Sequence, residues 1–301
     1  MSAGIFSALA AYLMWGFLPI YWKSVQAAPA TEILCHRICW SLVICLLLLA
    51  PLRQTREALT VMRDRRRLAL YIATSLLLTS NWLLYIWVVN AGYILEGSLA
   101  YFINPLISVC FGVIFFRERL RPVQVAALVL VVVGIVYLTV FYGQFPWIAL
   151  LLATSFGVYG LLHKKATEPV LTGALIETIV VFPPALIALI WLFARGQGEF
   201  VYAGWRTSLL LAGAGLVTLL PLLLFNFATQ RIPLSLVGLL QYLSPTINLL
   251  IGLFVYHEQF PRDRMLGFSL IWLALLLYLA ESGLRRLRQK AAALNRSRHP
   301  S

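Results

Sequence analysis

One stretch of this chain is written twice, and that repeat limits what the chain can fold into. The segment from Ser98 to Glu118 returns as Gly238 to Glu258 at a single offset of 140 residues. The offset lays Leu99 on Leu239, Phe102 on Tyr242, Pro105 on Pro245, Gly112 on Gly252 and Glu118 on Glu258. Both copies are apolar for the length of a membrane span, with a proline near the middle and a glutamate at the end. In lipid, a mid-span proline leaves the carbonyl four residues earlier without its usual donor. Those carbonyls belong to Tyr101 and Gln241. Paired interruptions at matching places in two halves mark a central binding site of the kind secondary transporters use.

The copies sit in a chain of 301 residues that is 61% apolar and 12% charged, with a mean hydropathy of +0.87. A soluble core of this size needs far more polar surface, so the class is polytopic membrane protein. Ten apolar runs fall at about 4–22, 32–50, 68–89, 98–116, 123–141, 146–162, 173–194, 207–228, 236–256 and 264–281. Each is close to the ~20 residues that a helix needs to cross hydrocarbon. The expected fold is all-α, with ten transmembrane helices as two five-helix repeats, residues 1–141 and 142–281, then a basic cytoplasmic tail, 282–301. An odd number of spans per repeat inverts the second copy, the arrangement that supports alternating access.

The net charge of +13 does not point to nucleic acid, because of where the charge lies. Loops on one side of a ten-span topology, with both ends of the chain, hold 18 Lys and Arg; the other loops hold 5, and Arg37 lies inside a span. By the positive-inside rule both termini are cytoplasmic. The basic blocks Arg63–Arg67 and Arg285–Lys290 are read as partners of anionic lipid headgroups. Ala28-Pro29-Ala30 mimics a signal-peptidase site, but the first run lacks a basic start and is read as a retained span. Cys35, Cys39, Cys45 and Cys110 all lie in apolar runs and are read as small buried hydrophobes, with no disulfide, metal or cofactor expected.

Polar and aromatic residues inside spans are expected to face a cavity, since facing lipid is costly. The candidate substrate pathway is Tyr12, Trp15, Asn81, Trp82, Tyr101, Asn104, Pro105, Tyr159, Gln241, Tyr242, Ser244, Pro245 and Asn248, with Tyr85 a further mid-span residue expected to face the cavity. Span 5 and much of span 10 are featureless and read as facing lipid, partner helices or a second protomer of a homodimer. Glu32 and His36 share a helix face beside Arg37, and Glu177 matches His36 at an offset of 141. In inverted repeats His36 and Glu177 fall in opposite halves of the pathway. With Glu32 and Arg37, they are the candidates for gating or proton coupling. Glu118 and Glu258, at span ends beside arginines, are read as capping and pairing groups. No P-loop, His-Glu-x-x-His or Gly-x-Ser-x-Gly motif occurs.

Several passages together resemble a known family. They are Glu32-Ile33-Leu34 with His36-Arg37, Asn81-Trp82-Leu83, Tyr101-Phe102-Ile103-Asn104-Pro105-Leu106 and Leu175-Ile176-Glu177-Thr178. Over nearly the whole chain the sequence resembles the RarD-type permeases of the drug/metabolite transporter (EamA) superfamily. The resemblance implies two five-helix repeats, a bacterial inner-membrane location and transport of small organic solutes or drugs. The first repeat ends Phe116-Arg117-Glu118, where relatives often have glycine before the glutamate. The leading expectation is an exporter of a small, partly aromatic or zwitterionic metabolite. The alternative is a non-transporting membrane sensor or a membrane-embedded enzyme, which a sealed bundle without a central cavity favours.

Overall fold

The computed structural model describes residues 2–52, 55–91, 93–143, 145–200 and 202–257, with 269–270, 272–274 and 276–277. Glu258, Arg262, most of the tenth run and the tail with its basic block lie outside the described residues. An apolar run in lipid can satisfy its backbone only within itself, so each of the first nine runs becomes helical among the described residues. In chain order these are α1 (Ser2–Ser24), α2 (Ala30–Leu52), α3 (Thr55–Arg63), α4 (Arg65–Asn90), α5 (Ile94–Phe116) and α6 (Pro122–Tyr142). Then follow α7 (Trp147–Lys165), α8 (Val170–Ala194), α9 (Trp205–Arg231), α10 (Leu234–Gln241) and α11 (Leu243–Phe254). No strand occurs among the described residues. Eight stretches are long and apolar enough to cross a membrane, α10 and α11 counting as one, so this is a multi-pass membrane protein. The apolar part of α6, Pro122–Tyr137, is shorter.

Three sequence expectations are corrected. The two proline-bearing copies are not broken alike: α5 runs unbroken through Pro105, whereas the ninth run is interrupted at Tyr242, three residues before Pro245. One missing N–H is tolerated inside a membrane helix. At the interruption Tyr242 has ψ −15° and donates its hydroxyl to the Phe102 carbonyl at 3.1 Å. The basic connection after α2 is also not a simple loop. In α3, Ala58 and Val61 are buried while Arg56 and Glu57 are exposed, and Val61 packs with Tyr71 and Ile176. Lastly, α7 continues past the sixth run to Lys165, which brings His163 inside the bundle.

Helix ends show why the turns hold. Asp64 Oδ1 accepts the N–H of Arg66 at 2.9 Å and opens α4. Arg117 closes α5 in the left-handed region at φ 53°, a position glycine fills more cheaply. That geometry turns Glu118 across the bundle. Its carboxylate accepts the N–H groups of Leu234 at 2.7 Å and Ser235 at 2.8 Å, at the start of α10, where a helix leaves N–H groups unpaired. Glu118→Ala strands both donors and is expected to cost about 2–3 kcal/mol. An unchanged thermal unfolding midpoint in detergent would speak against this capping role.

Inter-helix contacts come in exchangeable pairs. α1 packs on α9 as α7 packs on α4; α2 packs on α9 as α8 packs on α4; α5 packs on α7 as α11 packs on α1. α2 with α8, and α5 with α10, complete the set. Two glycines set the closest crossings. A Cβ on Gly215 falls 2.6 Å from the Trp40 carbonyl carbon of α2, and one on Gly238 falls 2.6 Å from the Pro105 carbonyl oxygen of α5. Outside the bundle, Val125, Val129, Val132, Val133, Val136 and Val140 of α6 form one exposed apolar face.

Candidate functional site

A cavity of about 580 Å³ lies where the two repeated helices cross. It reaches from the end carrying the α1–α2 connection, where Trp22 and Ala30 line it, to Tyr12, Asn81 and Thr218 deeper in the bundle. Trp15 and Trp82 form apolar walls, with Tyr85 and Tyr101, whose ring centroids lie 5.8 Å apart. Asn104 of α5, Gln241 of α10 and Ser244, Pro245 and Asn248 of α11 come from the two proline-bearing copies. Asn104 and Ser244 occupy matching positions under the 140-residue offset, as do Tyr101 and Gln241.

Arg37 is the one charged residue among those lining the cavity. Its guanidinium carbon lies 4.2 Å from the Trp82 ring centroid and 4.9 Å from that of Trp22, and its Nε donates to Thr218 Oγ1 at 2.9 Å. Stacking on indole holds a cation without neutralising it.

Three pathway candidates do not line this cavity. Pro105 gives its carbonyl to the close approach of Gly238. Tyr242 is buried between α5 and the helix break. Tyr159 sits deeper, where its hydroxyl accepts from Asn226 Nδ2 at 2.9 Å and faces Glu177 Oε2 at 3.5 Å. In mid-span, an aromatic facing a cavity and one filling a helix crossing carry the same sequence signal. Here the tyrosine hydroxyls found protein partners.

The ionisable candidates separate in space. Glu32 is fully buried and accepts the N–H groups of Glu199 and Phe200 at 2.9–3.0 Å, which pins the loop before α9. His36 stacks on Phe200 at 4.5 Å and lies 3.7 Å from Glu32, off the cavity. Glu177 lies toward the opposite end and pairs with His163, Nε2 to Oε1 at 2.7 Å. The chain of polar groups continues in that direction through Tyr71, whose ring centroid is 6.3 Å from that of His163. Tyr71 donates to Glu168 Oε2 at 3.0 Å, and Glu168 Oε1 lies 3.5 Å from Arg67. A second void of about 40 Å³ is lined by Glu177 and Asn226 and also by Arg37, Trp82, Thr218 and Leu222, which line the large cavity too. Sequence reading missed His163, Asn226, Thr218 and Trp22. His163 sits against Lys164 and Lys165 and looked like loop, whereas Asn226 is a mid-span amide that the polar-residue criterion could have found.

At the far end Lys164 donates to the carbonyls of Thr229 at 3.1 Å and Ile232 at 2.6 Å, at the last turn of α9. No group of three potential metal ligands occurs among the described residues.

The sequence profile of the EamA-like transporter family matches residues 2–140 and again 146–280. The chain belongs to that family. Protein RarD of Streptomyces exfoliatus is 43% identical over 97% of this chain and 92% of its own length. An uncharacterized transporter of Bacillus subtilis (strain 168), YojE, is 44% identical over 91% of this chain and 93% of its own. Protein RarD of Escherichia coli (strain K12) is 39% identical over 93% and 94%. Within the EamA-like family this chain is therefore a RarD-type permease. A crystal structure of a protein 17% identical, covering 95% of this chain and 99% of that one, superposes with a TM-score of 0.69. At that identity the likeness concerns the fold alone.

Proposed function

We propose that the protein is a secondary transporter that moves a small, partly aromatic or zwitterionic metabolite out of the cell by alternating access, and is not an enzyme. The observation that carries this reading is the cavity at the crossing of α5 with α10 and α11, built from matching positions of the two copies and reached from one end of the bundle. The opposite end is closed by Lys164, Glu118 and the Tyr12 hydroxyl on the Val237 carbonyl at 3.0 Å. Contacts that exchange when the two five-helix sets are swapped support inverted repeats. The lysine and arginine bias supports a bacterial inner-membrane protein with both termini cytoplasmic, so that the cavity faces outward. Lipid, or a second copy of the chain, covers the valine face of α6.

Flux into proteoliposomes tests the reading with a broad panel of labelled metabolites. Movement of at least one of them is expected, and none moving removes the proposal. The helix break sharpens the test. Pro245→Ala restores an N–H donor for the Gln241 carbonyl beside the interruption, so transport should fall about 10-fold or more, taking the helix cost of proline, ~3 kcal/mol, as the scale. Pro105→Ala, in a helix that is already continuous, should have a clearly smaller effect. Equal effects would place the functional break elsewhere.

A further inference from the structure

We propose that the cavity selects a small organic anion with a single negative group and a planar body. The negative group sits on the Arg37 guanidinium, and the neutral polar groups sit on Asn104, Gln241 and Asn248. This rests on the transport reading for its biology but not for its chemistry.

A cation within a membrane bundle usually has an acidic partner. Among the described residues no carboxylate lies within ion-pair distance of Arg37, and no carboxylate lines the cavity. Thr218 takes the Nε–H, while the guanidinium fork carries further N–H donors suited to a carboxylate or a similar planar anion. Between the rings of Trp22 and Trp82 the charge is held in place and poorly screened. An organic cation beside it meets repulsion in a medium of low dielectric, and Glu177, the carboxylate that shares the smaller void with Arg37, is paired with His163. The charge is also not duplicated, because at the 141-residue offset Arg37 falls on Thr178. The site therefore has one positive pole and fits one negative group.

The amides add neutral hydrogen-bonding groups to this pole. Asn81 is spoken for, donating to the Leu152 carbonyl at 2.8 Å and to Ser155 Oγ at 2.9 Å. Asn104, Gln241 and Asn248 also line the cavity, yet their side-chain oxygens have no hydrogen-bond partner. Asn104 is 8% exposed and Gln241 6%. A buried amide without a partner costs free energy that a ligand recovers on binding. Each amide offers both a donor and an acceptor, so the complementary ligand carries N–H or O–H groups beside its anion. The walls of Trp15, Trp82, Tyr85 and Tyr101 match a flat, largely apolar frame.

Binding, rather than flux, is the test. Protein in nanodiscs is titrated calorimetrically with three probes of one shape: 4-aminobenzoate, 4-aminobenzamide and 4-(aminomethyl)aniline, which are anionic, neutral and cationic at neutral pH. The anion should bind about 10-fold or more tightly than the amide, as a charge-assisted hydrogen bond implies, with the cation weakest. Arg37→Gln should erase the order. Arg37→Lys should keep the order with weaker binding, since the charge remains and the fork is lost. Gln241→Leu should weaken all three while preserving the order. If the anion fails to bind, if the cation matches it in wild type, or if Arg37→Gln keeps the preference, the proposal is overturned. Binding in the expected order without flux leaves it standing and removes the transport reading instead.

Discussion

Replacing Gly238 with valine should abolish transport and lower the thermal unfolding midpoint. At this position even an alanine Cβ falls 2.6 Å from the Pro105 carbonyl oxygen, 2.9 Å from Ser108 Cβ and 3.2 Å from the Val109 nitrogen. Two of those atoms are backbone and cannot rotate aside, so α10 must move away from α5. The movement pulls on the Tyr242–Phe102 hydrogen bond and displaces Gln241 from Asn104 on the cavity wall. Overpacking of this kind costs typically 1–3 kcal/mol for the smaller substituent and more for the larger. Gly160→Ala is the matched control, because its added Cβ meets the tip of the Phe225 ring at 3.3 Å, and a side chain can give way. Unfolding midpoints and flux for Gly238→Ala, Gly238→Val and Gly160→Ala should fall in the order valine, alanine, control. A Gly238→Ala protein with wild-type midpoint and flux would mean that α5 and α10 do not cross as closely as described.

That crossing also shows what the sequence could and could not carry. The offset marked Phe102 and Tyr242 as equivalents, and these two residues meet across the bundle. The mid-span amides Asn81, Asn104, Gln241 and Asn248 do line the cavity, because a polar group inside a span is costly against lipid and turns inward, whereas of the two prolines only Pro245 lines it. Which helices touch was not legible, since a featureless apolar face serves lipid, a neighbour or a second copy equally well. Glu32 shows the limit differently. Its burial follows from its run, but its partners are backbone N–H groups of Glu199 and Phe200, and backbone leaves no mark in composition. α3 was hidden by its arginines, although Ala58, Val61 and Met62 at spacings of three and four carried its apolar face. His163 escaped notice because the apolar run stops at Leu162 while the helix carries on to Lys165, and helix ends are weakly marked in sequence.

His163 matters because it changes the expected partner of Glu177. Proton coupling was expected to divide between His36 and Glu177. The geometry sets His36 against Phe200 and Glu32, off the cavity, and joins Glu177 to His163 at 2.7 Å. Glu177 shares the small void with Arg37, so it stands next to the cavity on one side. On the other side, His163, Tyr71 and Glu168 lead toward Arg67, whose side chain is 53% exposed. At ~10–15 Å³ of probe-occupied space per water, a void of about 40 Å³ has room for about three or four waters. We propose that protons pass between the cavity and Glu177 across this void, and between Glu177 and His163 directly. The expected result in proteoliposomes is wild-type transport that follows an imposed pH gradient. Glu177→Gln keeps a hydrogen bond to His163 but carries no exchangeable charge. It should lose the gradient dependence and slow driven flux by about 10²-fold or more, in the range of lost proton transfers, while exchange of solute down its own gradient persists. His163→Gln should behave similarly, and His36→Gln should stay close to wild type. Indifference of the wild type to the gradient ends the coupling proposal. If His36→Gln loses the dependence and Glu177→Gln keeps it, the proton route runs through the Glu32 end of the bundle, and the pairing of Glu177 with His163 is structural.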